Sequence, residues 1–278
     1  MPRNRQQELV DAHFHSRADR WKKVYAEPTA EGAIYRKRLA TILEWVDELG
    51  LPTGERVLEI GCGAGASTVA LAKRGYLVQA IDSVPDMLNH TQQAASDAEV
   101  SSSVFTTLAD AHDLAFPNGE FGLVLAIGVI PYLHSPTKAL EEMARVLKPD
   151  GYLVVTQGNR RRLNSLINPW LWPALQPAKR AIGNILRPFR KPRPQPNWAP
   201  IQFGSLRELE SWLSAVGLVK VKVKTIGFPH LSFRSRQLFG EQTAMRLNRR
   251  LQWLADQNVP GIRSAGMDYV VLARKATT

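Results

Sequence analysis

Arg56-Val-Leu-Glu-Ile-Gly-Cys-Gly-Ala-Gly65 is the stretch that most restricts how this chain can fold. Val57 to Ile60 is a short apolar run of β-favouring residues. It breaks at alternating glycines, and Ser67-Thr-Val-Ala-Leu-Ala72 then reads as the opening of a helix. Strand, tight glycine turn and helix form a βα unit that brings backbone N–H groups close to a nucleotide-like ligand. Gly61 and Gly63 suit the turn and the close approach, and Gly65 or Ala66 the helix–strand packing.

Two ligand classes satisfy this pattern. Gly61, Gly63 and Ala66 fit the dinucleotide spacing G-x-G-x-x-G/A, and Asp82 lies where a ribose-binding acid is expected. Glu59, two residues before the first glycine, would repel a pyrophosphate and attract a cofactor bearing a sulfonium and an ammonium. That favours S-adenosylmethionine (SAM).

Further segments follow in order. Val78-Gln-Ala-Ile-Asp82 is a second strand with a terminal acid, and Leu108-Ala-Asp-Ala111 carries another acid. Phe121 to Gly128 reads as strand four, and Leu147-Lys-Pro-Asp-Gly-Tyr-Leu-Val154 as a turn into strand five. Together with the glycine run, these resemble the motifs of class I SAM-dependent methyltransferases of the methyltransferase type 11 group, strongly over Val57 to Thr156 and weakly outside. The resemblance implies an α/β, Rossmann-like sheet of seven mostly parallel strands with an antiparallel last strand. Helices cover both faces, with an N-terminal helical cap and helical lid insertions. The strands are expected at Arg56–Ile60, Leu77–Asp82, Ser103–Thr107, Leu123–Ile127, Gly151–Thr156, Leu218–Ile226 and Met267–Ala273.

Ligands of such sheets bind beyond the carboxyl ends of the strands. The expected cofactor set there is Glu59, Gly61, Cys62 and Gly63 from the first motif, with Asp82, Ser83 and Met87 from the second. Asp110 and Ala111 would take the adenine, and the backbone of Ile127 and Gly128 the methionine end. Trp21 and Tyr25, four apart on one helix face, resemble the aromatics with which relatives cover the cofactor. Cys62 inside the turn reads as a small filler rather than a nucleophile. In Ile130-Pro-Tyr-Leu-His134, relatives often carry a histidine where Pro131 stands; His134 is the candidate base in its place. Tyr132, Trp170, Trp172, His230 and Arg234 are the candidate acceptor contacts. No metal is expected.

The charge of +11 is unevenly spread: Met1 to Asn159 holds 15 Lys+Arg against 20 Asp+Glu, and Arg160 to Thr278 holds 21 against 5. Such a basic half suits an anionic partner: a phosphorylated substrate, an anionic membrane surface or nucleic acid. Nucleic acid is disfavoured because strand four ends in Ile127-Gly-Val-Ile-Pro131, unlike the Asn/Asp-Pro-Pro-aromatic motif of enzymes that methylate base amino groups. No signal peptide and no bilayer-spanning run is visible, and one cysteine suits a reducing compartment. The expected place is therefore the cytoplasm, with peripheral contact to the membrane's inner face.

The chain divides into a helical cap at 1–50, a cofactor core at 51–157 and a basic Pro/Trp-rich lid insertion at 158–204. Residues 205–278 complete the sheet, with an insertion at 227–266. Leu175 to Phe189 in the lid places apolar residues at helical spacing between arginines and lysines, as an interfacial helix does. The expected acceptor is therefore an anionic or lipid-linked glycan or other small amphiphile, methylated on oxygen. The alternative is a small aromatic or quinone-like metabolite, ahead of an RNA acceptor or a nucleic-acid-binding protein. Nothing in the pattern sets an oligomeric state.

Overall fold

The computed structural model of the chain describes residues 5–167, 175, 177, 201–233 and 236–276. Its sheet uses β1 (Arg56–Ile60), β2 (Leu77–Asp82), β3 (Val104–Leu108), β4 (Phe121–Ala126), β5 (Leu147–Gly158), β6 (Leu218–Ile226) and β7 (Asp268–Lys275). The spatial order is β3-β2-β1-β4-β5-β7-β6. β1 to β5 run parallel, and β7 is antiparallel to both β5 and β6. The order reverses at β1, beside β4, and such a reversal opens a crevice at the strands' carboxyl ends. The predicted fold class is therefore the observed one; strand ends shift by a few residues, most at β5, which continues to Gly158.

Alternation along the strands sends side chains to two cores. On one face Leu58, Val124, Leu153 and Val271 pack against α6 (Pro136–Val146) and α8 (Leu206–Ala215). On the other, Val57, Leu125, Val154 and Leu272 meet α3 (Ala30–Glu48) and α4 (Ala66–Ala72). Each fully buried Leu or Ile contributes roughly 1.5–3 kcal/mol. The expected cap consists of α1 (Arg5–His15), α2 (Ala18–Lys23) and α3; α5 is Pro85–Asp97, α7 Leu163–Ile167 and α9 Glu241–Asp256.

One expectation changes. In the sequence Val219, Val221 and Val223 alternate with Lys220, Lys222 and Lys224, which predicts a strand with one solvated, basic face. Instead Val219, Val221 and Val223 are 60%, 50% and 39% exposed on the sheet's edge strand. The lysines pair: Lys220 with Glu210, Lys222 with Glu48 and Lys224 with Asp256. The cause is a register shift between Lys220 and Lys222, which sends Lys220 to one face and Lys222 and Lys224 to the other. Of the lid's interfacial stripe only its first residue, the exposed Leu175, is described; the rest, with Trp170 and Trp172, lies outside the described residues.

Candidate active site

The glycine turn is fixed by bonds to β2. The N–H groups of Gly61 and Cys62 donate to the Ile81 carbonyl at 2.8 and 3.0 Å. The Gly63 N–H donates to the Asp82 carboxylate at 3.0 Å, and the Val84 N–H donates to its other oxygen, also at 3.0 Å. Gly65 caps α4 with φ of +82°, and a Cβ there would lie 2.9 Å from the Thr91 backbone in α5. Gly63, at φ +56°, would place a Cβ in open space, and it borders a cavity of about 540 Å³. That is the cradle a close-approaching ligand needs.

The cavity runs past the ends of β1, β2, β4 and β5. Asp82, Ser83 and Met87 form its wall beyond β2, and Asp110 and Ala111 the next corner. Burial raises the Asp82 carboxyl above its usual range, against its backbone donors. α1 closes this end from above: the Gln7 amide donates to Asp11 and Ser83, and the Ser83 hydroxyl donates to Asp11 at 2.7 Å. Cys62, buried with its thiol pushed up by burial, is the inert filler expected.

Glu59 does not reach the cavity. Its carboxylate is buried and accepts from the hydroxyls of Ser67 and Thr68, the second and third residues of α4. Burial raises it from the usual 4.5 to about 7. The residue that favoured a cationic cofactor thus ties β1 to α4, and it stands one side chain behind the cavity wall, where its partner Ser67 lies.

His134 is corrected too. It lies outside the cavity wall, stacked on His112 with ring centroids 3.8 Å apart. Burial, then His112, lowers its pKa. His112 is buried; the Ser135 N–H donates to its Nε2, so Nδ1 carries the proton donated to Asp110 at 2.6 Å. That bond is the first cause holding Asp110 down at about 2. The histidine pair positions the Asp110 corner and offers the cavity no base.

At the far end the walls are side chains. Phe14, Trp21, Tyr35 and Tyr25 form a chain of ring contacts 5.5 to 6.0 Å apart, and Phe14 also meets Tyr132 edge-on at 4.9 Å. Beneath them Arg38 is buried, paired with Asp268 at 3.3 Å and stacked over Tyr35 at 4.6 Å. Burial raises Asp268 in spite of that pair. The Gly128 N–H donates to the Thr156 hydroxyl at 2.6 Å, and a Cβ on Gly128 would sit 3.9 Å from both Arg38 terminal nitrogens. His230 lines the wall with its Nε2 2.8 Å from Glu241. Arg162 and Phe203 close this end.

The structure therefore gathers Gly61, Cys62, Gly63, Asp82, Ser83 and Met87 around one cavity with Asp110, Ala111, Ile127 and Gly128. The expected cofactor-covering aromatics Trp21 and Tyr25 line the same cavity, as do the candidate acceptor contacts Tyr132 and His230. Arg234, like the two lid tryptophans, lies outside the described residues. Arg38, Asp268, Tyr35, Arg162 and Phe203 are the additions. Arg38 carried a readable signal: it stands four residues from both Ile34 and Ile42, on the buried face of α3.

Residues 58–155 match a family profile described as a methyltransferase domain. The chain is similar to 2-methyl-6-phytyl-1,4-hydroquinone methyltransferase of Synechocystis, 32% identical over 180 residues, 63% of this chain and 50% of that one. It is also similar to the ubiquinone biosynthesis O-methyltransferase of Xanthomonas axonopodis pv. citri, 31% identical over 119 residues, 42% and 49% of the two chains. It thus spans about half the length of these curated relatives. Among solved structures, magnesium protoporphyrin IX methyltransferase of Synechocystis with bound S-adenosylhomocysteine (SAH) superposes at a TM-score of 0.65. The superposition covers 98% of this chain and 100% of that one at 14% identity, which speaks for the fold.

Proposed function

We propose, from the match of residues 58–155 to the methyltransferase-domain profile, that the chain transfers a methyl group from SAM to a small aromatic acceptor of the quinol type. One observation carries the reading: a single cavity has a nucleoside cradle at one end and a belt of aromatic rings at the other. Asp82 would accept from the ribose hydroxyls, and Asp110 and Ala111 would hold the adenine. Gly63 leaves room for the cofactor's close approach, and Gly128 the same at the methionine end. The cofactor supplies an activated methyl on a sulfonium. The rings of Phe14, Trp21, Tyr35 and Tyr132 orient a flat acceptor and exclude water, and such alignment is worth several orders of magnitude in rate. With the cofactor bound, an acceptor oxygen or ring carbon would take the methyl, leaving the demethylated cofactor, and the displaced proton would pass to solvent. The relatives named above are a hydroquinone methyltransferase and an O-methyltransferase of ubiquinone biosynthesis, which favours the quinone-like alternative over the glycan acceptor expected from charge and the lid pattern.

The test is transfer of labelled methyl from SAM to a panel of hydroquinones and catechols, beside undecaprenyl-linked glycans. Label should enter the aromatic panel and not the glycans. Labelling of glycans alone would overturn the acceptor class, and failure of the protein to take up SAM or SAH would overturn the activity. No helix among the described residues is long and apolar enough to cross a membrane.

A further inference from the structure

We infer that Arg162 is an anion anchor in the acceptor half of the cavity, so that the aromatic acceptor carries an ionised oxygen acid, a carboxylate or a phosphate. The inference rests on the methyl-transfer reading above.

Arg162 lies in the turn that leaves β5, between Asn159 and the start of α7. Of the three arginines in this turn, Arg160 is exposed and paired with Glu208 at 3.3 Å. Arg162 instead lines the cavity, half-buried, and burial pulls its pKa down. Among the described residues its guanidinium donates to no carboxylate, carbonyl or hydroxyl; its contact is the Phe203 ring, 3.9 Å away. Asp268 is its nearby opposite charge, but Asp268 is held by Arg38. Partial desolvation of a cation is costly, and the face of a phenyl ring together with a carboxylate already shared with Arg38 offsets only part of that cost. An anion in the cavity would supply the rest through charge-assisted, bidentate hydrogen bonds.

The anchor is held in advance. Phe203 packs on Gly158, where a Cβ would lie 2.8 Å from the ring. The Gly204 N–H donates to the Gly158 carbonyl, and the Arg160 N–H to the Gly204 carbonyl, both at 2.9 Å. The buried Asn159 amide donates to Ser264 and Gly266, and its oxygen accepts from the Arg161 N–H. Of the neighbouring polar groups, Asn164 exchanges two hydrogen bonds with Ser232, and the His230 Nε2 faces Glu241 while its Nδ1 is buried without a hydrogen bond. Among the described residues Arg162 is thus the cation of this wall that no carboxylate pairs with, and it is the one free to meet an anion.

The full chain loaded with SAH is titrated with benzoate, phenyl phosphate and uncharged methyl benzoate, followed by tryptophan fluorescence and calorimetry. The wild type should prefer one of the two anions over methyl benzoate by about tenfold or more, a charged hydrogen bond's worth. The anion preferred tells carboxylate from phosphate. Arg162→Gln should erase the preference while SAH and methyl benzoate affinities stay within about twofold, and Arg162→Lys should restore part of it. Equal response of the wild type to charged and neutral probes, including none to either, overturns the anchor. So does an Arg162→Gln variant that weakens all probes alike, which would make Arg162 a packing residue on Phe203. If the wild type fails to take up SAH, the methyl-transfer reading falls first, and that is visible before any acceptor probe is added.

Discussion

At the β1–β2 end of the cavity the wall is mostly backbone, whereas at the β5–β7 end it is mostly side chains. Apart from the covering α1, the first end draws on residues 60 to 111, close in sequence, held by N–H donations into Ile81 and Asp82. The second gathers Phe14, Arg38, Tyr132, Arg162, Phe203, His230 and Asp268 from the whole chain. A backbone cradle depends on glycine spacing and tolerates little variation; a side-chain wall can be rebuilt residue by residue. Relatives that share the first end are therefore free to differ in what the second one takes.

The comparison breaks most sharply at the Arg38–Asp268 pair, which should make the second end a dry, charge-balanced wall. Arg38→Met leaves Asp268 buried and uncompensated, and should cost about 3–5 kcal/mol in urea unfolding at neutral pH. Acid should return part of the loss. Burial already raises Asp268, so the variant's stability is fullest below the usual carboxylate pKa and falls as pH rises through the raised one. Arg38→Met with Asp268→Leu should recover most of the loss, a coupling distant sites do not show. A stable single variant at neutral pH would mean that water screens the pair and that the wall is wet.

At the backbone end the corresponding buried charge is Glu59, and its sign is testable alone. Its folded pKa is about 7 against a usual 4.5. The folded state holds this proton more tightly, so the stabilising contribution is full below pH 4.5 and is lost as pH rises to about 7. Glu59→Gln cannot titrate, so the wild type's advantage over it should shrink by on the order of 3 kcal/mol across that window. Asp110 acts elsewhere: its pKa is depressed to about 2, so its contribution is present above the usual carboxylate value and fades as pH falls toward 2. A flat difference between wild type and Glu59→Gln from pH 4.5 to 7 would mean that Glu59 stays ionised under α4.

The same contrast explains what could be read without coordinates. β1, β2 and β6 match their expected bounds, and Asp82 stands where its offset from the glycines put it, because strand, turn and acid are neighbours in sequence. His134 misled for the same reason: adjacency placed it near the rim, but while Leu133 lines the cavity His134 stacks on His112. Glu59 was located correctly and its partners were not, since Ser67 and Thr68 reach it only once α4 folds back along β1. The second end was least legible. Pairing Arg38 with Asp268 requires a contact across 230 residues, and only the placement of Arg38 on an apolar helix face hinted at it. The bulge in β6 left no mark in a Val/Lys alternation that reads as an unbroken strand.

The smallest expected effect tests whether the second end is held by its own local bonds or by the helix that follows. α8 begins with a capping box: the Ser205 hydroxyl accepts from the Glu208 N–H at 3.2 Å, and the Glu208 carboxylate accepts from the Ser205 N–H at 2.7 Å. Ser205→Ala should lower stability by about 1 kcal/mol, the usual worth of such a cap. Phe203, two residues earlier, is held through Gly204 and Gly158 by bonds that the substitution leaves intact. Acceptor-probe affinity should therefore stay within about twofold of wild type while the urea midpoint drops. If probe affinity falls together with stability, α8 rather than the β5 exit sets the Phe203–Arg162 stack, and the second end is less self-supporting than the first.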